Sequence, residues 1–145
     1  MAKQGIGGWL LLPAAFTALI PLALLANFIG TFSDYLKIWE RRNRTPWPNL
    51  LLVGGEEVGN FIIIVCWFFA LYLLFRKSSR YPIFSSACMV GLLILAILDT
   101  GLSSVVYQKP IGMERLPDFI AMVCIVAGWC AYMKFSKRMR NTFPL

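Results

Sequence analysis

The sequence predicts an all-α fold, a four-helix transmembrane bundle with a short interfacial helix in the first external loop. Composition is the first reason. Apolar residues fill 59% of 145 positions and charged residues 14%, whereas a soluble domain carries roughly 45–50% and about 25%. One soluble core cannot hide that much apolar surface, so lipid has to be the solvent. The second reason is length: the apolar residues gather near 8–29, 57–75, 84–106 and 116–135, each run close to the ~20 residues that cross a bilayer. The third is the placement of charge. The N-terminus, the link after the second run and the C-terminal tail hold Lys3, Arg76, Lys77, Arg80, Lys134, Lys137, Arg138 and Arg140, and no acid. The other two links mix Lys37, Arg41, Arg42, Arg44, Lys109 and Arg115 with Asp34, Glu40, Glu56, Glu57, Glu114 and Asp118. Basic residues beside membrane helices stay on the cytoplasmic side. A single domain over 1–145 with both termini in the cytoplasm is therefore expected.

Run one follows Lys3 as a secretory signal would. Its length exceeds the roughly 7–15 residues of a signal core, and no A-x-A site follows, so it reads as a retained helix. Pro21 stands mid-span and deprives the Thr17 carbonyl of its donor. Pro13, Thr17 and Pro21 recur every fourth residue and share a face, which should look inward to a neighbour that satisfies the freed group. The first external loop is expected over 30–55. Within it, Asp34 to Arg44 sets Tyr35, Leu36, Ile38 and Trp39 opposite most of its charges, as a helix lying at headgroup depth would. Thr45-Pro46-Trp47-Pro48-Asn49 breaks that helix. Runs two to four are joined by short links and should pack as antiparallel neighbours. Ala87-x-x-x-Gly91 on run three, and Ala127-x-x-x-Ala131 with Gly128 on run four, mark candidate helix contacts.

The chain has no histidine, which removes His-ligated haem, His-based zinc sites and His-dependent nucleophilic catalysis. Cys66, Cys88, Cys124 and Cys130 fall inside apolar runs without a Cys-x-x-Cys pair, and read as buried free thiols acting as small hydrophobes. No catalytic residue, metal or cofactor is expected, and no enzyme. The net charge of +7 flanks apolar runs and forms no stripe with interleaved aromatics. It reads as topology signal and contact with anionic headgroups of the bilayer, not as nucleic-acid binding.

Asp99 is the polar residue that most needs an explanation. It lies seven residues inside run three counted from Val106, roughly 10 Å deep at 1.5 Å per residue. An acid there costs on the order of 2.5–3.5 kcal/mol and should face the bundle interior. Glu57 and Asn60 open run two at the same depth, one helical turn apart. Asn27 on run one and Ser103 on run three complete a candidate polar cluster of Asn27, Glu57, Asn60, Asp99 and Ser103, with Lys109 or Arg115 above it. Two readings stand: a cation, proton or polar-ligand site, or helix-start acids in interfacial water with Asp99 paired to Arg115 or bonded to Asn60. At the other end Lys137, Arg138 and Arg140 form a compact basic patch suited to anionic lipid or a partner's acidic surface.

The opening Gly5-Ile6-Gly7-Gly8-Trp9-Leu10-Leu11-Leu12-Pro13, with Pro21 eight positions on, resembles that of a family of small bacterial membrane proteins, domain of unknown function 2569. Ser136-Lys137-Arg138-Met139-Arg140-Asn141-Thr142-Phe143 resembles the family's closing segment, and Glu57-x-x-Asn60 and Arg76-Lys77 resemble the two ends of its second span. The resemblance covers nearly the whole chain. It implies a four-span protein of the bacterial inner membrane, and brings no activity, substrate or catalytic residue. Size and the missing catalytic groups point to a non-enzymatic accessory or scaffolding component, partnered by other membrane subunits or by its own copies. The rival is a small proton- or cation-coupled transporter or channel working through Asp99 and Glu57. Orientation is open to a direct check. Thr45→Cys should react with an impermeant maleimide on intact cells and Ser79→Cys only after permeabilisation; the opposite pattern would invert the topology.

Overall fold

Proline sets where three of the long helices begin. The computed structural model describes residues 11–108 and 112–143, apart from the Arg138 side chain; Lys3, the Gly5–Trp9 opening and Lys109 lie outside them. The helices are α1 (Leu11–Glu40), α2 (Trp47–Phe75), α3 (Tyr81–Val106), α4 (Leu116–Phe135, after a 3-10 turn at Met113–Arg115) and a short α5 (Lys137–Thr142). Pro48, Pro82 and Pro117 each stand in the first turn of their helix, where a missing N–H removes no intrahelical bond. α2 stops in a left-handed turn. Lys77 takes φ 48, its N–H bonds Leu74 O and the Ser78 N–H bonds Leu73 O, both at 3.0 Å. That pattern satisfies carbonyls a helix end leaves open, and it outweighs the roughly 1–2 kcal/mol a side chain costs in this region. Four helices are long and apolar enough to cross a membrane, and the protein is a multi-pass membrane protein.

The expected first loop is not a loop. Residues 30–40 continue α1, and α2 begins ten residues before Glu57, at Trp47. The interfacial helix expected over Asp34 to Arg44 is thus the end of α1, with Arg41 to Thr45 forming the turn. The physical reason is a ladder of rings at helical spacing. Phe28, Phe32, Tyr35 and Trp39 follow one another at centroid distances of 5.5, 6.1 and 6.3 Å, carrying the helix past Gly30 and Ser33. An Asp34–Lys37 ion pair at 2.7 Å adds to it. On α2 the facing position is Gly54, where a Cβ would come within 3.4 Å of the Tyr35 hydroxyl. A helix of 30 residues is about 45 Å long, against a hydrocarbon core of about 30 Å. The α1–α2 hairpin is therefore longer than one crossing needs.

Sequential helices pack on one another, α1 on α2, α2 on α3 and α3 on α4. Between α2 and α3 the contact is close: a Cβ on Gly59 would meet Leu95, and one on Gly91 would meet Ile63, each at 3.0 Å. One apolar cluster, containing Ile63, Trp67, Ala70, Cys88, Met89 and Val126, fills the middle of the bundle. A second lies at the end where α2 stops and α3 starts. There Leu73, Leu74, Tyr81 and Met133 close around Met139 and Phe143, so α5 is folded under the bundle rather than trailing from it. The start of α1 joins the same cluster through Ala14, which puts the beginning of α1 and α5 on one side.

The inward face expected for α1 is the one observed: its buried residues are Pro13, Thr17 and Pro21. The Thr17 hydroxyl donates to Pro13 O at 2.7 Å and lies 2.7 Å from the Tyr81 hydroxyl. With the Thr17 proton committed, Tyr81 is the donor of the second bond. Trp129 Nε1 donates to Ser85 Oγ at 3.0 Å one turn along α3. Two expectations need correcting. Ala127, Gly128 and Ala131 are exposed, because α4 turns Val126, Trp129 and Met133 inward instead; Ala87 is exposed too, although Gly91 does make its contact. Cys88 is buried, and Cys66 and Cys130 half-buried, but Cys124 faces outward.

The α5 dock is open to test. Phe143→Ala should cost about 3 kcal/mol, the usual loss for a buried ring, since Phe143 is 1% exposed. Phe75→Ala, at 71% exposure, should change stability by less than about 0.5 kcal/mol. Equal, small losses for the two in reversible detergent unfolding would mean that α5 does not hold the bundle.

Candidate functional site

Away from the chain ends, α1, α2 and α3 diverge around a cavity of about 410 Å³. Each contributes a polar side chain to a wall that is otherwise apolar and mostly leucine. Asn27 comes from α1, Glu56 and Asn60 from α2, and Asp99 from α3; Leu51, Leu95, Leu98 and Leu102 supply much of the rest. Glu56 and Asn60 reach it together because they are one turn apart on α2. Asp99 is half-buried, and its Oδ1 accepts a long bond of 3.4 Å from Ser103 Oγ.

Of the five residues expected to cluster, Asn27, Asn60 and Asp99 line this cavity, and Ser103 touches it through Asp99. Glu57 does not line it. Gly54 and Phe61, one turn either side of Glu57, meet Tyr35 and Phe28 of α1, so Glu57 lies on the stripe of α2 that faces α1. There it is 5% exposed and its Oε2 has no partner. Its neighbour Glu56, about 100° round the helix, takes the place in the cavity wall. Both acids are one turn from Asn60, and spacing alone cannot choose between them; the signal that could have chosen was Gly54, the small residue opposite an aromatic.

The cavity holds two carboxyl groups and no Lys or Arg among the described residues that line it. Arg115 is exposed and not in its wall, and Asp34–Lys37 is the one ion pair among the described residues. Of the two carboxyl groups, Glu56 is exposed and Asp99 half-buried. Among the described residues, no group of three or more His, Cys, Asp or Glu gathers closely enough to hold a metal ion. On α5, Lys137 and Arg140 are exposed, while the side chain of Arg138, third member of the expected patch, lies outside the described residues.

Four membrane-length helices around an acidic cavity define a small multi-pass membrane protein. The chain belongs to DUF2569, a family of proteins of unknown function, which it matches over residues 3–144. Neither a curated protein nor a solved structure matches it.

Proposed function

We propose that this is a non-enzymatic component of a larger membrane assembly, in a bacterial inner membrane with both chain ends in the cytoplasm. The orientation rests on the acid-free, Lys/Arg-rich end of the chain. The assembly role rests on α4. Its inner side packs on α3, while Cys124, Ala127, Gly128 and Ala131 are exposed together, and a Cβ on Gly128 would meet nothing within 4 Å. Small residues let a second transmembrane helix approach closely enough for dispersion contacts to hold it. The absence of histidine supports the non-enzymatic part. Gly128→Leu should leave the detergent-purified monomer as stable as wild type and lose a membrane subunit that wild type retains in stoichiometric amount. If wild type retains none in mild detergent or in native membranes, the assembly reading fails.

A second reading is favoured by one observation, the shared cavity of Glu56 and Asp99. On this reading the protein moves a proton or cation. Proteoliposomes should then show a pH- or ion-dependent flux that Asp99→Asn reduces at least tenfold and Glu56→Gln also weakens. Equal flux from wild type, variants and empty vesicles would end it.

A further inference from the structure

A second cavity, of about 400 Å³, opens at the end of the bundle where α5 docks. Its floor and walls are apolar: Ile83 from the first turn of α3, Cys130 and Met133 from the end of α4, and Met139 from α5. Two cations stand among them, Lys134 and Arg140. Cys130 lies one turn back along α4 from Lys134, about 6 Å at 1.5 Å per residue, so the wall deepens into the bundle from the charge.

The cations are held, not loose. Met139, buried to 1% exposure, fixes α5 against the bundle. Ser136 caps that helix by accepting the Met139 N–H at 3.4 Å, and Arg140 Nε donates back across the α4–α5 break to Lys134 O at 3.4 Å. That bond leaves the terminal nitrogens of the guanidinium for another acceptor. No Asp or Glu side chain of this end serves as that acceptor: none occurs between Val58 and Leu98, or after Asp118. Ser86 Oγ, the hydroxyl in the wall, already donates to Pro82 O at 2.8 Å. The groove therefore offers an apolar slot of one-turn depth beside two cations that form no ion pair among the described residues, and the exposed Ile83 leaves it open towards lipid. Its charge complement is an anionic headgroup with a hydrocarbon chain attached.

We infer that the groove between α3, α4 and α5 is a binding site for an anionic phospholipid of the surrounding bilayer. One acyl chain lies against Ile83, Cys130, Met133 and Met139, and the phosphate meets Lys134 and Arg140. The site is independent of the acidic cavity and of the outward face of α4, and survives if either functional reading fails.

Native mass spectrometry of the full chain, titrated with phosphatidylglycerol or phosphatidylcholine of the same acyl chains, tests it. Wild type should retain phosphatidylglycerol preferentially. A cation near an anionic surface is worth about a fivefold preference, so Lys134→Gln with Arg140→Gln should weaken the anionic adduct about thirtyfold. Both residues are exposed, and the unfolding transition should not move. Ile83→Trp, a filling change at an exposed position, should remove the adduct with the cations in place. Lys77→Gln with Lys137→Gln removes as much charge outside the groove and should keep the preference. Glycerol phosphate, the anion without chains, should not compete. The inference is overturned by equal retention of the two lipids, by an unchanged preference in the Lys134/Arg140 variant, or by an equal loss in the Lys77/Lys137 variant. Displacement by glycerol phosphate, or a dimer that Ile83→Trp dissolves, would overturn it as well.

Discussion

In hydrocarbon a polar group that turns inward must find its partner inside the protein, and the Thr17–Tyr81 bond meets that demand at the centre of this fold. The face of α1 carrying Pro13, Thr17 and Pro21 presents the Thr17 hydroxyl, a polar group that cannot be left to lipid. It is turned onto the start of α3, where Tyr81 donates to Thr17 and Thr17 to Pro13. One such bond is worth only about 1 kcal/mol net. Its larger effect is placement. The Tyr81 ring, held by its hydroxyl, becomes the surface on which Phe143 lies at 4.9 Å, and with it the whole of α5. A threonine hydroxyl in the first helix thus helps to decide where the last helix goes.

Architecture was legible in the sequence because hydrophobic length and charge placement are one-dimensional signals. Four crossings, their order and the inward face of α1 could all be read from spacing. Helix ends were harder. Gly30, Ser33 and a run of charges read as a loop, yet rings at Phe28, Phe32, Tyr35 and Trp39 stack along a continuous helix. Ring stacking is a property of the formed helix and has no hydropathy signature. The polar cavity was legible to within one residue. Depth placed Asn27, Asn60 and Asp99 together, but Glu56 and Glu57 differ only by rotation about α2, and rotation is set by what α1 presents. The α5 groove was not legible at all. Lys134 and Arg140 read as members of a basic tail, and only the burial of Met139 and Phe143 turns that tail into a wall.

The two ends of the bundle use charge in opposite ways. At the α5 end the charged side chains are Lys and Arg, yet the interior is closed by Tyr81, Met139 and Phe143, so the cations are driven to the rim where headgroups lie. At the other end the helices separate, and Glu56 and Asp99 enter the space between them. Glu57 takes a third course, buried against α1 with an oxygen unpartnered.

This asymmetry bears on which readings can coexist. A cavity that takes up a proton or cation needs freedom at the end where α1, α2 and α3 diverge. A fixed platform for lipid or for a neighbouring subunit needs rigidity at the end where α5 docks. The close contacts at Gly59 and Gly91 tie α2 to α3, the first of them through Leu95 in the wall of the acidic cavity. The physical division is between an end closed by α5, where Tyr81, Met139 and Phe143 are buried, and an end where Glu56 and Asp99 line a cavity.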